Sequence, residues 1–428
     1  MILATTDSSG STCIPSSSRV SRRSALARLG AAGVTLTSAW SAQARTPAAP
    51  GKLVVVMLRG AVDGLSVVVP HGEADYARAR PELAIARPGV PDGALPLDDL
   101  FGLHPALAVL APWWQDDRLA FVHASGSTDP TRSHFDAQDH METATPGRRA
   151  TPDGWMNRLL LELGQRDSPA FGVNVGPLMP RIFAGAADVT SMAVSATDRL
   201  DPGGSPAQSA VLDRLLSADP ATARAWAALR ETREALRQSA EVMGPGMDAG
   251  AAPGAVPLAS LAADCARLGR LMRRESSVRA AFLSVGGWDT HVGQGGATGA
   301  LANRLRGLAG GLDALARSLD DGLDDTLILV MSEFGRTVRQ NGTRGTDHGH
   351  GNVMWLLGGP VRRAQVAGRW PGLDAAALHD GRDLAVTTDF RQVIAQVLQR
   401  HLRLDDAALS RVLPNGPGHT AALDLLRG

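Results

Sequence analysis

The stretch "KLVVVMLRG", residues 52–60, is a continuous run of β-branched and other apolar side chains that closes on a glycine. A strand with one wet face alternates apolar and polar residues. A run that is apolar at every position belongs to a strand covered on both faces, as in a parallel sheet. Four further runs share this character: "RLAFVHAS" (118–125), "AAFLSVGG" (280–287), "DTLILVMSEFG" (325–335) and "VMWLLGG" (353–359). Between them lie stretches of helical period such as "GALANRLRGLAGGLDALARSLDDGL" (299–323). Strand and helix in alternation predict an α/β sandwich with a mostly parallel central sheet.

The bulk composition narrows what such a sandwich does. With 428 residues, 44% of them hydrophobic, the chain has material for a sizeable core. Its 43 basic and 43 acidic side chains balance, which excludes a general electrostatic attraction to nucleic acid. Any anion must be held locally. Residues 1–44 read as an address: adjacent Arg22 and Arg23 in "SRRSALARLG", a weakly apolar stretch, then "SAQA", whose Ala42 and Ala44 suit signal-peptidase cleavage. This segment resembles a twin-arginine signal, with Ala25 where an aromatic residue often stands. The expected partner is therefore the twin-arginine translocase, and the expected destination is the periplasm or the exterior. Cys13 would leave with the signal and Cys265 would remain alone, so no intrachain disulfide is expected. Cys265 sits in "LAADCARLGRLM", apolar at helical spacing, and reads as a core residue. No later stretch reaches the ~18 apolar residues needed to span a bilayer. Residues 200–258, rich in Ala, Gly, Pro and Ser around "ATARAWAALRETREALRQSAEVM" (221–243), read as a helical insertion within one domain spanning 45–428.

In an open α/β sheet, ligands collect at the carboxyl ends of the strands. "LRGAVDGLS" places Asp63 after the first strand, and "SGSTDPTRSHFDAQDHME" places Arg132, Ser133, His134, Asp136, Asp139 and His140 after the second. "SVGGWDTHVGQGG" adds Asp289 and His291, "MSEFGRT" adds Glu333 and Arg336, and "GTDHGHGN" adds Asp347, His348 and His350. Each segment alone has a plain structural reading: a turn aspartate, a loop pair, an ion pair between Glu333 and Arg336. Together they predict a shared site. Carboxylate oxygen and imidazole nitrogen suit Zn²⁺ or Mn²⁺, and an oxygen-rich shell shifts the choice towards harder ions such as Ca²⁺. Asp63, Asp289, His291, Glu333, Asp347, His348 and His350 are the candidate ligands, enough for one divalent ion or for two roughly 3.5–4 Å apart. Ser133 stands where a helix begins, with Asp136 three positions on. It is either a plain N-cap or a nucleophile at a helix N-terminus that stabilises a bound anion, with Arg132 to clamp that anion's oxygens. His104, in "GLHPAL", is open in the same way, as a pocket residue or a packed structural histidine.

The segments "LRGAVDGLSVVVP", "SHFDAQDHME", "GGWDTH", "SEFGRT" and "DHGHGN", following such a signal, resemble the bacterial family catalogued as domain of unknown function 1501. That family is similar in fold to the alkaline phosphatase and sulfatase superfamily. The resemblance implies an alkaline-phosphatase-like three-layer sandwich with one or two divalent metals and a serine attacking a phosphate or sulfate ester. It implies that Asp63 corresponds to the first-strand metal aspartate, Ser133 to the nucleophile, Asp289 and His291 to an Asp and a His on one metal, and His348 or His350 to the last metal histidine. Glu333 takes the place of a strand-end Asp-His pair, with Phe334 where the His is expected. Asp289 and His291 stand only two apart, closer than in alkaline phosphatases. The cysteine-containing sulfatase motif is absent, so cysteine-derived formylglycine is excluded. The expectation is a hydrolase of small anionic esters, the alternative an exported protein of the same fold that binds metal or anion without turnover.

Overall fold

A computed structural model describes residues 51–148, 151–166, 170–194, 254–416 and 423–427. The expected address (1–44) and nearly all of the expected insertion (200–258) lie outside the described residues.

The strands are β1 (Lys52–Leu58), β2 (Val68–Val69), β3 (Leu95–Pro96), β4 (Gly102–Leu103), β5 (Leu119–Gly126), β6 (Phe171–Val175), β7 (Val189–Met192), β8 (Val278–Val285), β9 (Thr326–Ser332), β10 (Asn352–Gly358), β11 (Gln365–Ala367) and β12 (Thr388–Asp389). The helices are α1 (Gly64–Val67), α2 (Ala74–Ala79), α3 (Ala111–Gln115), α4 (His134–Thr143), α5 (Trp155–Arg166), α6 (Leu258–Arg274), α7 (Ala300–Leu319), α8 (Phe390–Gln396) and α9 (Asp406–Val412).

The main sheet runs β11-β5-β10-β9-β1-β8-β6-β7, with β12 also paired to β5. The five apolar runs are β1, β5, β8, β9 and β10. β1 lies between two parallel neighbours, with Leu53 opposite both Ala280 and Leu327. β10 alone breaks the pattern, antiparallel to β9 on one side and β5 on the other.

Alternate residues of β1 point into two different cores, as a strand covered on both faces requires. Val54, Val56 and Leu58 pack in one core with Leu261 and Leu268 of α6 and Leu305, Leu308 and Leu312 of α7. Leu53, Val55 and Met57 pack in the other with Met156 and Leu159 of α5, Val393 and Ile394 of α8 and Val412 of α9. Helices therefore cover both faces, giving the three layers expected. Full burial of each such side chain is worth about 1.5–3 kcal/mol against an extended reference chain. Cys265 is buried in the first core, and burial pushes its thiol pKa up, as befits a packing residue.

Layering leaves the sheet edge free for loops. β1, β5, β8 and β9 end there, and antiparallel β10 begins there, with Asn352 opposite Ser125 near the end of β5. The excursion between β9 and β10 (333–351) thus leaves and returns on one edge. Its two arms are laced by Gly335 N–H to the His350 carbonyl (2.9 Å), Gly349 N–H to the Gly335 carbonyl (2.8 Å) and Thr337 N–H to the Asp347 carbonyl (2.9 Å). The glycines of "GTDHGHGN" have their reason here. A Cβ on Gly351 would lie 2.7 Å from the Leu384 carbonyl oxygen, and one on Gly349 would lie 2.4 Å from the Arg336 backbone. No described helix is long and apolar enough to cross a membrane.

Candidate metal centre

At that edge His134, Asp289 and His348 each offer a ligand atom, all within 4.8 Å of one another. His134 opens α4, one residue past Ser133. Asp289 and His291 follow β8, and His348 precedes β10. His291 joins them: its Nε2 is 3.0 Å from Asp289 Oδ1 and 3.1 Å from His348 Nε2, which is itself 3.2 Å from the same oxygen.

The far side of each ring decides the chemistry. His348 Nδ1–H donates to the Arg132 carbonyl (2.9 Å), an oxygen that can only accept. His291 Nδ1–H donates to the Asp347 carboxylate (3.0 Å). Asn341's hydrogen bond to Asp347 is the first cause of its lowered pKa, with His291 adding to it against some burial. His134 Nδ1–H donates to Glu333 (2.8 Å). In the neutral rings all three Nε2 atoms therefore carry lone pairs: those of His291 and His348 face each other and Asp289 Oδ1, and that of His134 faces Asp289 Oδ2. His134 Nε2 is buried without a hydrogen-bond partner and stands 3.6 Å from Asp289 Oδ2. A single proton relieves only one such contact. A cation relieves them all, and imidazoles oriented by carboxylates and a carbonyl are the usual second layer of such a centre. The residues fit a divalent ion.

The electrostatics agree. Burial works against a charge on His134, yet Asp289 and Glu333 outweigh it and raise its pKa to about 9. Burial also opposes the charge of Asp289, but the neighbouring His134 and His348 rings and the Arg336 guanidinium hold its carboxyl far below the usual range. Arg336 is buried and donates to the carbonyls of Gly60, Ala61, Trp288 and Thr346 as well as to Asp289, pinning three segments around the cluster. Phe334 forms the apolar wall, its ring stacked on His134 at 4.9 Å.

Several expected ligands stand elsewhere. Asp63 is buried with both oxygens taken by Arg80 (2.6 and 3.0 Å) and further bonds from Ser66 and Gln294, so it is a structural ion-pair partner rather than a metal ligand. Burial opposes its charge but Arg80 outweighs it, and its pKa is lowered. With Asp63 committed, no second ligand set is assembled beside the first among the described residues. His350 stacks on His379 at 4.3 Å, outside the cluster; burial first and His379 second lower its pKa to about 4. Glu333 and Asp347 hold the rings from behind and do not face the shared point. Glu333 Oε1 also accepts from Gly60 N–H (2.8 Å) and Gln138 (2.9 Å). Asp139 pairs with Arg181, and His140 lies 3.9 Å from Asp129.

Ser133 caps α4, its Oγ accepting from Asp136 N–H at 3.4 Å. Arg132 pairs with Asp380 (3.2 Å) and the buried Asp383 (2.7 Å). Arg382, which no sequence pattern singled out, also bonds Asp383 and donates to the His348 carbonyl. Gln138 was missed too, though its place four residues after His134 on one helix face was a usable signal. His104 is fully buried, bonded to Ala106 N–H and the Gly296 carbonyl, and fits the structural reading.

No curated protein matches the sequence. Among solved structures the chain is similar to a protein in the alkaline phosphatase superfamily from Vibrio parahaemolyticus, at 11% identity and TM-score 0.36, covering 74% of this chain and 63% of that one. It is also similar to the C-terminal periplasmic domain of EcEptC from Escherichia coli, at 11% identity and TM-score 0.32, covering 72% of each chain. A third likeness is to alkaline phosphatase from the Antarctic bacterium TAB5, at 12% identity and TM-score 0.29, covering 74% of this chain and 94% of that one. The chain thus spans less than two thirds of the first of these. The family model described as protein of unknown function (DUF1501) matches residues 51–414, and the chain belongs to that family.

Proposed function

We propose that the chain is a metal-dependent hydrolase of phosphate or sulfate esters built on one divalent ion held by His134, Asp289, His291 and His348. The observation that carries the reading is the meeting of three imidazole Nε2 atoms and one carboxylate while every matching Nδ1 is engaged on its far side. Three nitrogens and one oxygen suit Zn²⁺ first. The side chains of Asp289 and His291 are 43% and 40% exposed, so a substrate reaches the centre from solvent. When bound, the ion supplies Lewis-acid polarisation of the ester's non-bridging oxygens. Ser133 is the nucleophile, placed between the residue that orients His348 and the one that supplies Nε2 of His134. The start of α4 favours the negative charge that gathers there. Arg132, steadied by Asp380 and Asp383, takes up the anion's outer oxygens.

The test combines metal analysis of the purified protein with a panel of phosphomonoesters, phosphodiesters and sulfate esters. One ion per chain is expected, lost in His291→Ala and His348→Ala. Ser133→Ala is expected to abolish turnover and keep the ion; unchanged turnover removes Ser133 from the mechanism. One observation favours the non-catalytic alternative, in that four side-chain donors complete a tetrahedral shell as closed structural sites do. Bound ion with no hydrolysis across the panel decides for it. We also propose export through the twin-arginine pathway, on the strength of Arg22 and Arg23. Replacing both with lysine is expected to keep the chain in the cytoplasm, as fractionation of expressing cells would show.

A further inference from the structure

A cleft of about 340 Å³ lies alongside α4. Phe135, Gln138, Asp139 and Glu142 line it, at the spacing of one helical face. We propose that this cleft receives the uncharged, largely apolar alcohol portion of the ester, a proposal that rests on the hydrolase reading above.

Four observations carry it. The lip is apolar and open: Phe135 is 89%, Leu178 54% and Met179 50% exposed, and Phe282 lies in the wall. Exposed large apolar side chains gathered at a concave surface mark a binding site more often than scattered ones do. The charges of the cleft are already matched, Arg59 with Glu142 (2.6 Å) and Arg181 with Asp139 (2.9 Å), so a second anionic group finds no unpaired cation there. One donor is left over. Arg59 Nε is buried with no hydrogen-bond partner, and it would meet an uncharged acceptor oxygen such as an ether or hydroxyl. The cleft also adjoins the cluster through hydrogen bonds: Arg59 donates to Gln138, and Gln138 donates to the same Glu333 oxygen that accepts from His134. An ester whose anionic head lies at the cluster and whose alcohol group lies over Phe135 spans neighbouring positions of one helix.

The variant Leu178→Asp/Met179→Asp changes only half-exposed lip positions, and unchanged metal content reports that it folds. In the metal-loaded wild type, 1-naphthol fluorescence is expected to show saturable binding, weakened about tenfold or more in the variant, since charge on the lip opposes apolar burial. The kcat/KM for a 1-naphthyl ester is expected to fall by a similar factor, with that for the methyl ester of the same acid changed less than about twofold. Absence of saturable naphthol binding, or equal loss with both esters, overturns the proposal. If no ester is turned over at all, the hydrolase reading fails, and naphthol binding still decides whether the cleft takes an apolar alcohol.

Discussion

His134 carries two obligations, a proton or an ion, and its environment sets the exchange between them. Its raised pKa, about 9, means that below that pH the ion must displace a proton. Metal affinity is therefore expected to rise with pH, roughly tenfold per unit up to about pH 9, as read by competition with a chelating dye. In the metal-free protein the sign reverses. A folded-state pKa above the ordinary 6.5 gives stability that is fully present below that value and lost as pH climbs through about 9. Glu333, which holds the ring from behind, should cost about 10–100-fold in metal affinity when changed to Gln, with the fold intact. These roles were partly legible in the chain itself. Asp289, His291 and His348 follow or precede strong strand signals and carry ligating atoms, so their convergence could be read. Asp63 had the same credentials and a different fate, because its partner Arg80 sits 17 residues on and nothing in the local pattern reveals that pairing.

At the scale of elements, α4 serves as cap, ligand platform and cleft wall together. The two readings of Ser133 separate by substitution. Ser133→Asn keeps a good N-cap and removes the hydroxyl, so stability is expected to hold within about 0.5 kcal/mol while turnover disappears. Ser133→Ala should also cost about 0.5–1 kcal/mol in urea unfolding, the low end because the capping contact is long at 3.4 Å. Elements differed in how openly they announced themselves. β1, β5, β8, β9 and β10 are mostly apolar runs buried throughout, apart from half-buried Lys52, and were visible. β7 and β11 are short and partly exposed, offering neither a long run nor clean alternation. The reversed direction of β10 was invisible for a different reason, since an apolar run has the same appearance in either direction.

For the molecule as a whole, Arg80 ties distant parts together: it grips Asp63 beyond β1 and the carbonyls of Thr337 and Val338 in the β9–β10 excursion, fully buried at every contact. Arg80→Met is expected to cost about 3–5 kcal/mol in urea unfolding, because it strands a buried carboxylate. Adding Asp63→Asn should recover part of that loss. Three layers and a mostly parallel sheet followed from the alternation of apolar runs with helical periods. The place of His134 in the cluster, with Asp63 and His350 outside it, did not, since it depends on loops whose paths are set by long-range contacts such as this one. The excursion 333–351 has one more implication. Because it departs and re-enters at a single rim of the sheet, it behaves as a cassette: Glu333, Arg336, Asp347 and His348 travel together. Grafting its counterpart from a relative would reprogram the choice of cation while both flanking strands stay as they are.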